Sequence, residues 1–258
     1  MSDARPIAIL TALWHRPDVA RACLSWMARE YPDAVRVAVG SLDGDSGARV
    51  LAGACGWEYL DAPNRPLSRK WQAGLAWIGR HLDVSAVMTV GSDDVVTRGA
   101  FHGLLNVATA HKHAAGFPDM WFWSPDAGEL GYHAGPSQKT EVLPSCAPDA
   151  LTWGAGRVYS RALLDRIEWR LWCDDADNCL DSLADCRLRA VTDPRRSTIA
   201  VPMAVAGGIA VDTKSLTNIW GWKSIQRGVR RNTLRGAAAQ AMLAAYQMEG
   251  LWDLRKAL

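Results

Sequence analysis

Apolar runs rich in Ile and Val alternate with amphipathic stretches through the first hundred residues, a rhythm that predicts a parallel sheet wound by helices. Ile7 to Leu13 reads as a buried strand. Pro17 then suits the first turn of a helix, and Val19, Cys23, Leu24 and Met27 give that helix one apolar stripe. Val35 to Val39 predicts a second strand, ended by the turn-rich run from Ser41 through Asp43, Gly44 and Asp45 to Gly47. Trp57 to Leu60 is a short third strand. Ser68 can cap the next helix, whose apolar face is Trp71, Leu75, Ile78 and Leu82. Ala86 to Val90 forms a fourth strand that stops at Gly91-Ser92-Asp93-Asp94, and Thr97 can cap a helix striped by Phe101, Leu104, Leu105 and Ala108.

Beyond His113 the rhythm breaks into Pro- and Gly-punctuated segments with little helical period, the pattern of strands and long loops in a second lobe. Ser160 caps a further helix, and an acidic helix is expected from about Asp175 to Ala190. Ile199 to Val211 supplies one or two more strands, and a mostly helical tail runs from about Ile225 to the end. The expected fold is α/β, a Rossmann-like, mostly parallel sheet with a smaller lobe and a helical C-terminal tail. Its expected parts are a catalytic domain over 1–215, with halves 1–97 and 98–215, and a basic tail over 216–258.

Composition narrows the picture. A chain of 258 residues, 49% hydrophobic and 22% charged, can bury a full core without disulfide or metal staples. Its formal charge of +2 gives no global field toward nucleic acid or membrane. Met1 to Pro6 lack the apolar core of a signal peptide, and no stretch approaches the roughly 20 apolar residues that cross a bilayer, so a cytoplasmic protein with no membrane partner is expected. Cysteines 23, 55, 146, 173, 179 and 186 form no CxxC pair, and the last three fit no common zinc spacing, so they are expected as buried thiols. His111 and His113 are expected on the surface.

In open parallel sheets, loops at the carboxyl ends of the strands converge polar groups over one rim. Asp43 and Asp45 follow the second strand, Lys70 the third, and Asp93 with Asp94 the fourth. Adjacent carboxylates at the end of a buried strand call for a compensating cation, and oxygen ligands suit Mg²⁺ or Mn²⁺. The alternative is that Asp93 and Asp94 end the strand and favour the next helix N-terminus. GxxxxGK[ST] and GxSxG are absent, and Gly154-Ala155-Gly156 lacks the third glycine of a dinucleotide loop.

The order of features resembles the family 2 type glycosyltransferases of the GT-A fold, over roughly Ile7 to Leu188. The pieces are IAILTALWHRPDVARACLSWM, NRPLSRKWQAGL, VGSDDVVTRGAF, WGAGRVYSRALLDRI and CLDSLADCRL. The resemblance implies an enzyme that moves a sugar from a nucleotide diphosphate donor to a hydroxyl acceptor, with inversion and with Mn²⁺ or Mg²⁺. On it, Asp93 matches the last aspartate of the Asp-x-Asp metal motif and Asp94 the acid that follows. Gly91 replaces the first aspartate, leaving Ser92, Asp94 or water to substitute for it. Thr11 and Asp43, or Asp45 in a shifted register, fall near base and ribose, and Lys70 near the nucleotide. Asp181 matches the catalytic base of a Glu-Asp pair whose glutamate is here Leu180, with Asp174, Asp175 and Asp177 as alternatives in another register. A sugar nucleotidyltransferase would carry a Gly-rich, Arg-Lys loop after the first strand, which residues 11–16 do not resemble. A non-catalytic binding protein on the same fold is the other alternative, suggested by Gly91.

From Thr213 to Met248 there are six basic residues, Lys214, Lys223, Arg227, Arg230, Arg231 and Arg235, and no acid. Trp220 and Trp222 lie beside them. Two readings stand. One is a solvated basic helix packed on the donor domain, with Lys214 serving the donor diphosphate. In the other, Trp222, Arg227, Arg230 and Arg231 dock DNA, and the sugar goes to a hydroxymethylated base, as in phage-type members.

Overall fold

Ile7–Ala12 (β1) alternates Ala8 and Leu10 on one face with Ile9 on the other, and all three are fully buried. That two-sided burial is the mark of a strand covered by helices on both faces. In a computed structural model that describes residues 5–42, 46–135, 152–173, 175–192, 198–214, 222–229 and 232–256, β1 is an inner strand of a seven-stranded sheet. It pairs in parallel with Val35–Ser41 (β2), which pairs in parallel with Glu58–Ala62 (β3). On its other side it pairs in parallel with Ala86–Thr89 (β4). Arg157–Ser160 (β9) runs antiparallel to β4 and to Ala114–Gly116 (β6), and Ile199–Ala200 (β10) closes the edge beside β6.

Helices cover both faces. Pro17–Glu30 (α1) buries Val19, Cys23, Leu24 and Met27 as the stripe predicts, and Arg98–His111 (α4) buries Phe101, Leu104 and Ala108 on the same side. Leu67–His81 (α3) buries Leu75 and Ile78 on the opposite side. Arg161–Arg166 (α5), capped by the Ser160 hydroxyl at 3.4 Å, and Leu180–Val191 (α6) complete that layer.

A second, five-stranded sheet begins directly after β4 with Asp94–Val96 (β5). Its order is Thr233–Arg235 (β12), Glu129–His133 (β8), Met120–Ser124 (β7), Ala210–Thr213 (β11) and β5. The tail is woven into this lobe. Met203–Ala206 (α7) precedes β11, Trp222–Val229 (α8) packs on β8, β12 pairs with β8, and Ala237–Ala245 (α9) and Glu249–Asp253 (α10) follow. Trp26 Nε1 donates to Gln247 O at 2.8 Å and Trp123 Nε1 to Leu251 O at 2.8 Å, which clamps the end of the chain under α1 and β7.

Several expectations are corrected. Ser46–Ala54 (α2) is a helix where only turn and loop were expected, and it buries Ala48, Leu51 and Ala52. The third strand starts one residue later than expected, because the Trp57 ring is buried and its Nε1 donates to Leu24 O at 3.1 Å. Ser68 does not cap α3: the cap position is Pro66, and the buried Ser68 hydroxyl accepts the Ala176 N–H at 3.0 Å. Thr97 occupies the cap position of α4 but turns its hydroxyl to Ile209, accepting at 2.9 Å and donating at 3.1 Å, so it fastens β11 to β5 instead. The acidic helix starts at Leu180, and the tail contains a strand. His113 is buried, with Nε2 at 3.2 Å from Thr192 Oγ1. Cys173 is exposed and Cys179 and Cys186 are half-buried, so these three are not core thiols, while Cys23 and Cys55 are.

One buried ion pair joins the sheet to α6. Arg157 and Asp185 are each 1% exposed and make two hydrogen bonds, at 3.1 and 3.3 Å. Thr198 Oγ1 donates to Asp185 at 2.7 Å, and the remaining guanidinium hydrogens go to the carbonyls of Thr152, Trp153 and Asp181. Truncating one partner strands the other charge in the core, so Asp185→Ala is expected to cost about 3–5 kcal/mol. Urea unfolding measures this, and a loss below about 1 kcal/mol would contradict the pairing.

Candidate active site

The switch from β4 into β5 turns the chain from one sheet into the other, and the turn is Gly91-Ser92-Asp93-Asp94. Register then assembles the site. Asp94 lies opposite Asp212 on β11, Asp212 beside Phe122 on β7, and Phe122 opposite Gly131 on β8, so these four share one face. Oxygens of Asp93, Asp94 and Asp212 lie within 4.8 Å of one another, the one such cluster among the described residues. Asp93 and Asp94 were expected at this rim. Asp212 was missed, because it follows them by more than a hundred residues and only strand pairing brings it there.

Gly91 is explained by the same geometry. Its N–H donates to Asp94 Oδ2 at 2.6 Å, and a Cβ there would lie 2.6 Å from Asp93 Oδ1 and 2.9 Å from Asp94 Oδ2. A carboxylate side chain at position 91 would crowd two others.

Two cations face the cluster. Lys214 is buried, its Nζ 2.5 Å from Asp212 Oδ2 and 5.5 Å above the Phe122 ring, with its backbone N–H fixed to Trp123 O at 2.6 Å. Arg16, which sequence reasoning also missed, donates from Nη1 to Asp93 Oδ2 at 2.8 Å and from Nη2 to Ser92 Oγ at 3.4 Å. Burial works against the charge of Asp93, but Arg16 and Lys214 outweigh it and hold its pKa below the usual carboxylate range. Asp94 is pushed well above that range by burial, with Asp212 and Asp93 adding to the shift. Burial also lifts Asp212, to about 6, against the pull of Lys214. With all three carboxylates ionised, the two cations would leave one negative charge in excess, which is why burial pushes Asp94 and Asp212 upward, and Asp212 Oδ1 is buried with no hydrogen-bond partner. Hard oxygen donors, an orphaned oxygen and surplus negative charge fit a divalent cation such as Mn²⁺ or Mg²⁺.

The other expected residues divide. Thr11 is fully buried on β1, and its Oγ1 has no partner. Lys70 is fully buried too. Its Nζ donates to Leu13 O, to Ser41 Oγ at 2.9 Å and to Asn64 Oδ1 at 3.1 Å, so it ties together the loops that follow β1, β2 and β3. Ser92 is buried against Arg16. Asp181 opens α6, and its carboxylate accepts the Gly154 N–H so closely that a Cβ on Gly154 would overlap it. The residue is exposed overall, yet its carboxyl stands in a crowded corner. Desolvation there raises its pKa against the pull of Arg157, with Asp185 adding to the rise. Trp153, next to Gly154, contacts Phe122 edge-on with ring centres 5.1 Å apart, so aromatic packing links the Asp181 corner to the Lys214 corner.

Of the upstream alternatives, Asp175 pairs with Arg69 and Asp177 accepts the Leu67 N–H at 3.0 Å, at the start of α3. Trp222 is packed on β8, its Nε1 donating to Glu129 at 3.2 Å, and Arg235 pairs with the same carboxylate at 2.7 Å. Both are thereby engaged within the protein. Asp43, Asp45, Cys146, Asp174, Trp220, Arg230 and Arg231 lie outside the described residues, as does the side chain of Arg227.

No family model and no curated protein matches the sequence. The fold has clear counterparts among solved structures. Glucosyl-3-phosphoglycerate synthase from Mycobacterium tuberculosis, in complex with Mn²⁺, uridine diphosphate and phosphoglyceric acid, superposes with a TM-score of 0.53 at 13% identity, over 82% of this chain and 72% of that one. The S. aureus protein TarS, residues 1–349 with UDP-GlcNAc, gives 0.50 at 12% identity, over 83% and 60%. A 4-diphosphocytidyl-2C-methyl-D-erythritol synthase gives 0.50 at 13%, over 81% and 94%. The chain therefore has the GT-A type of α/β fold, shared by glycosyltransferases and nucleotidyltransferases. Among the described residues, no helix is long and apolar enough to cross a membrane.

A carboxyl whose folded pKa is raised stabilises the fold at low pH and loses that contribution as pH climbs through the folded value. For Asp212 the window runs from about 4, the unfolded value, to about 6, and for Asp94 it extends higher. Without divalent cation, Asp94→Asn is therefore expected to melt at a higher temperature than the parent, by a margin that widens as pH rises from 4 to 8. Melting curves across that range check it, and a margin that is constant or shrinks would contradict the charge balance.

Proposed function

We propose that this protein is a glycosyltransferase that takes a sugar from a nucleotide diphosphate donor and passes it, with inversion, to a hydroxyl acceptor. The observation that carries the reading is the buried Asp93, Asp94 and Asp212 cluster, flanked by Lys214 and Arg16, at the rim of the parallel sheet. Structures of the same fold that hold Mn²⁺ with UDP or UDP-glucose supply the precedent. When bound, a divalent cation at the three carboxylates supplies positive charge to the leaving diphosphate. Lys214 adds a fixed positive charge beside it, and Thr11, buried on β1 with its hydroxyl unpartnered, is the proposed contact on the nucleoside side.

Asp181 is the proposed general base. As the acceptor oxygen bonds to the anomeric carbon, the bond from that carbon to the diphosphate oxygen breaks, and the acceptor proton passes to the Asp181 carboxylate. Its raised pKa suits this task, and the Gly154 N–H holds the carboxylate in place. The acceptor is assigned only as a hydroxyl compound. Nothing in the described part of the tail favours DNA, since Trp222 and Arg235 are committed to Glu129.

A panel of nucleoside diphosphate sugars with and without Mn²⁺ tests the reading. Free nucleoside diphosphate should be released, Asp93→Ala should abolish release, and Asp181→Asn should lower turnover by about 10² to 10⁴ with little change in donor affinity. Pyrophosphate released from a nucleoside triphosphate and a sugar phosphate would instead make the protein a nucleotidyltransferase, and donor binding without turnover would make it a binding protein.

A further inference from the structure

Arg16 sits where the proposed chemistry has no use for it. A divalent cation taking Asp93 Oδ2 as a ligand would meet the guanidinium that already holds that oxygen at 2.8 Å. Two positive centres on one carboxylate oxygen repel strongly in a buried site. The two resident cations also differ in how they are held. Lys214 is pinned by its backbone bond to Trp123 and its ammonium bond to Asp212. Arg16 stands at the end of a loop, with 18% of its side chain exposed, and holds the cluster through its guanidinium contacts with Asp93 and Ser92. The loop itself is under tension: His15 and Arg16 take φ of 51° and 54°, a left-handed conformation that non-glycine residues adopt at an energetic penalty, immediately before Pro17 begins α1.

We propose that Arg16 is an exchangeable counter-ion: it neutralises Asp93 in the metal-free protein, leaves that carboxylate when a divalent cation binds, and then presents its N–H fork to the donor diphosphate. The inference rests on the carboxylate cluster being a cation site. Guanidinium is suited to both positions, because its planar fork pairs with carboxylate and with phosphate alike. The exchange also makes cation and donor binding cooperative. The cation frees the guanidinium, and the diphosphate gives the freed guanidinium a new partner, so each ligand lowers the penalty for the other.

Calorimetric titration of Mn²⁺ into the full chain without nucleotide tests this directly, on the parent and on Arg16→Gln, Arg16→Met and Arg16→Lys. Both charge-free variants should bind Mn²⁺ at least about tenfold more tightly than the parent, a difference of about 1.4 kcal/mol. Arg16→Lys, which keeps the competing charge, should stay near the parent value. Titration of UDP at saturating Mn²⁺ should show the opposite order, with the charge-free variants binding it about tenfold more weakly. Two charge-free variants guard against one that fails to fold, and melting curves identify such a case. Mn²⁺ affinity that is unchanged or weakened in both overturns the exchange while leaving the cation site standing. Absence of Mn²⁺ binding in every form overturns the cation site and the exchange with it.

Discussion

Three carboxylates held within one small buried volume are the constraint around which the rest of this structure is arranged. Asp93, Asp94 and Asp212 cannot all be ionised in low dielectric without compensation, and the protein supplies two cations for three anions. Burial pushes Asp94, which makes no ion pair, well up and lifts Asp212 to about 6 despite its bond to Lys214, while Asp93, drawn down by both cations, stays ionised. A fold that keeps such a cluster gives up stability at neutral pH, and on the proposed reading a divalent cation would restore it.

Architecture delivers the cluster through a change of sheet. β4 ends in the parallel sheet, Gly91 permits a turn too tight for a side chain, and β5 continues in the second sheet against β11. Thr97, expected as a helix cap, gives its hydroxyl to Ile209 and so locks the register that sets Asp212 opposite Asp94. On the far side, the Arg157–Asp185 pair joins β9 to the first turns of α6 and draws in the carbonyl of Asp181. The Asp93 cluster and the Asp181 corner are thus fixed to strands β4 and β9, which are direct neighbours.

How much of this the sequence revealed depends on the range of the interaction involved. The parallel strands and the stripes of α1 and α4 were legible, because burial on one face imposes a local period. Asp93 and Asp94 were legible because a paired acid after an apolar run is unusual in itself. Asp212 and Arg16 were not, since an isolated Asp in AVDTK and an Arg in WHRP carry no local signature, and only pairing across the second sheet and a left-handed loop give them meaning. Ser68 and Thr97 were read as caps on local grounds and proved to serve distant partners, Ala176 and Ile209. Helix α2 was missed because Gly and Ser dominate its first turn, and its buried Ala48, Leu51 and Ala52 form too short a stripe to announce a helix.

The most direct test of the central claim is a crystal structure of the full chain with Mn²⁺ and UDP, with anomalous scattering recorded to locate the metal. The account places one Mn²⁺ peak about 2 to 2.5 Å from oxygens of Asp93, Asp94 and Asp212. A metal held elsewhere, or UDP bound at this rim with the three carboxylates still closed on Arg16 and Lys214 alone, would contradict it.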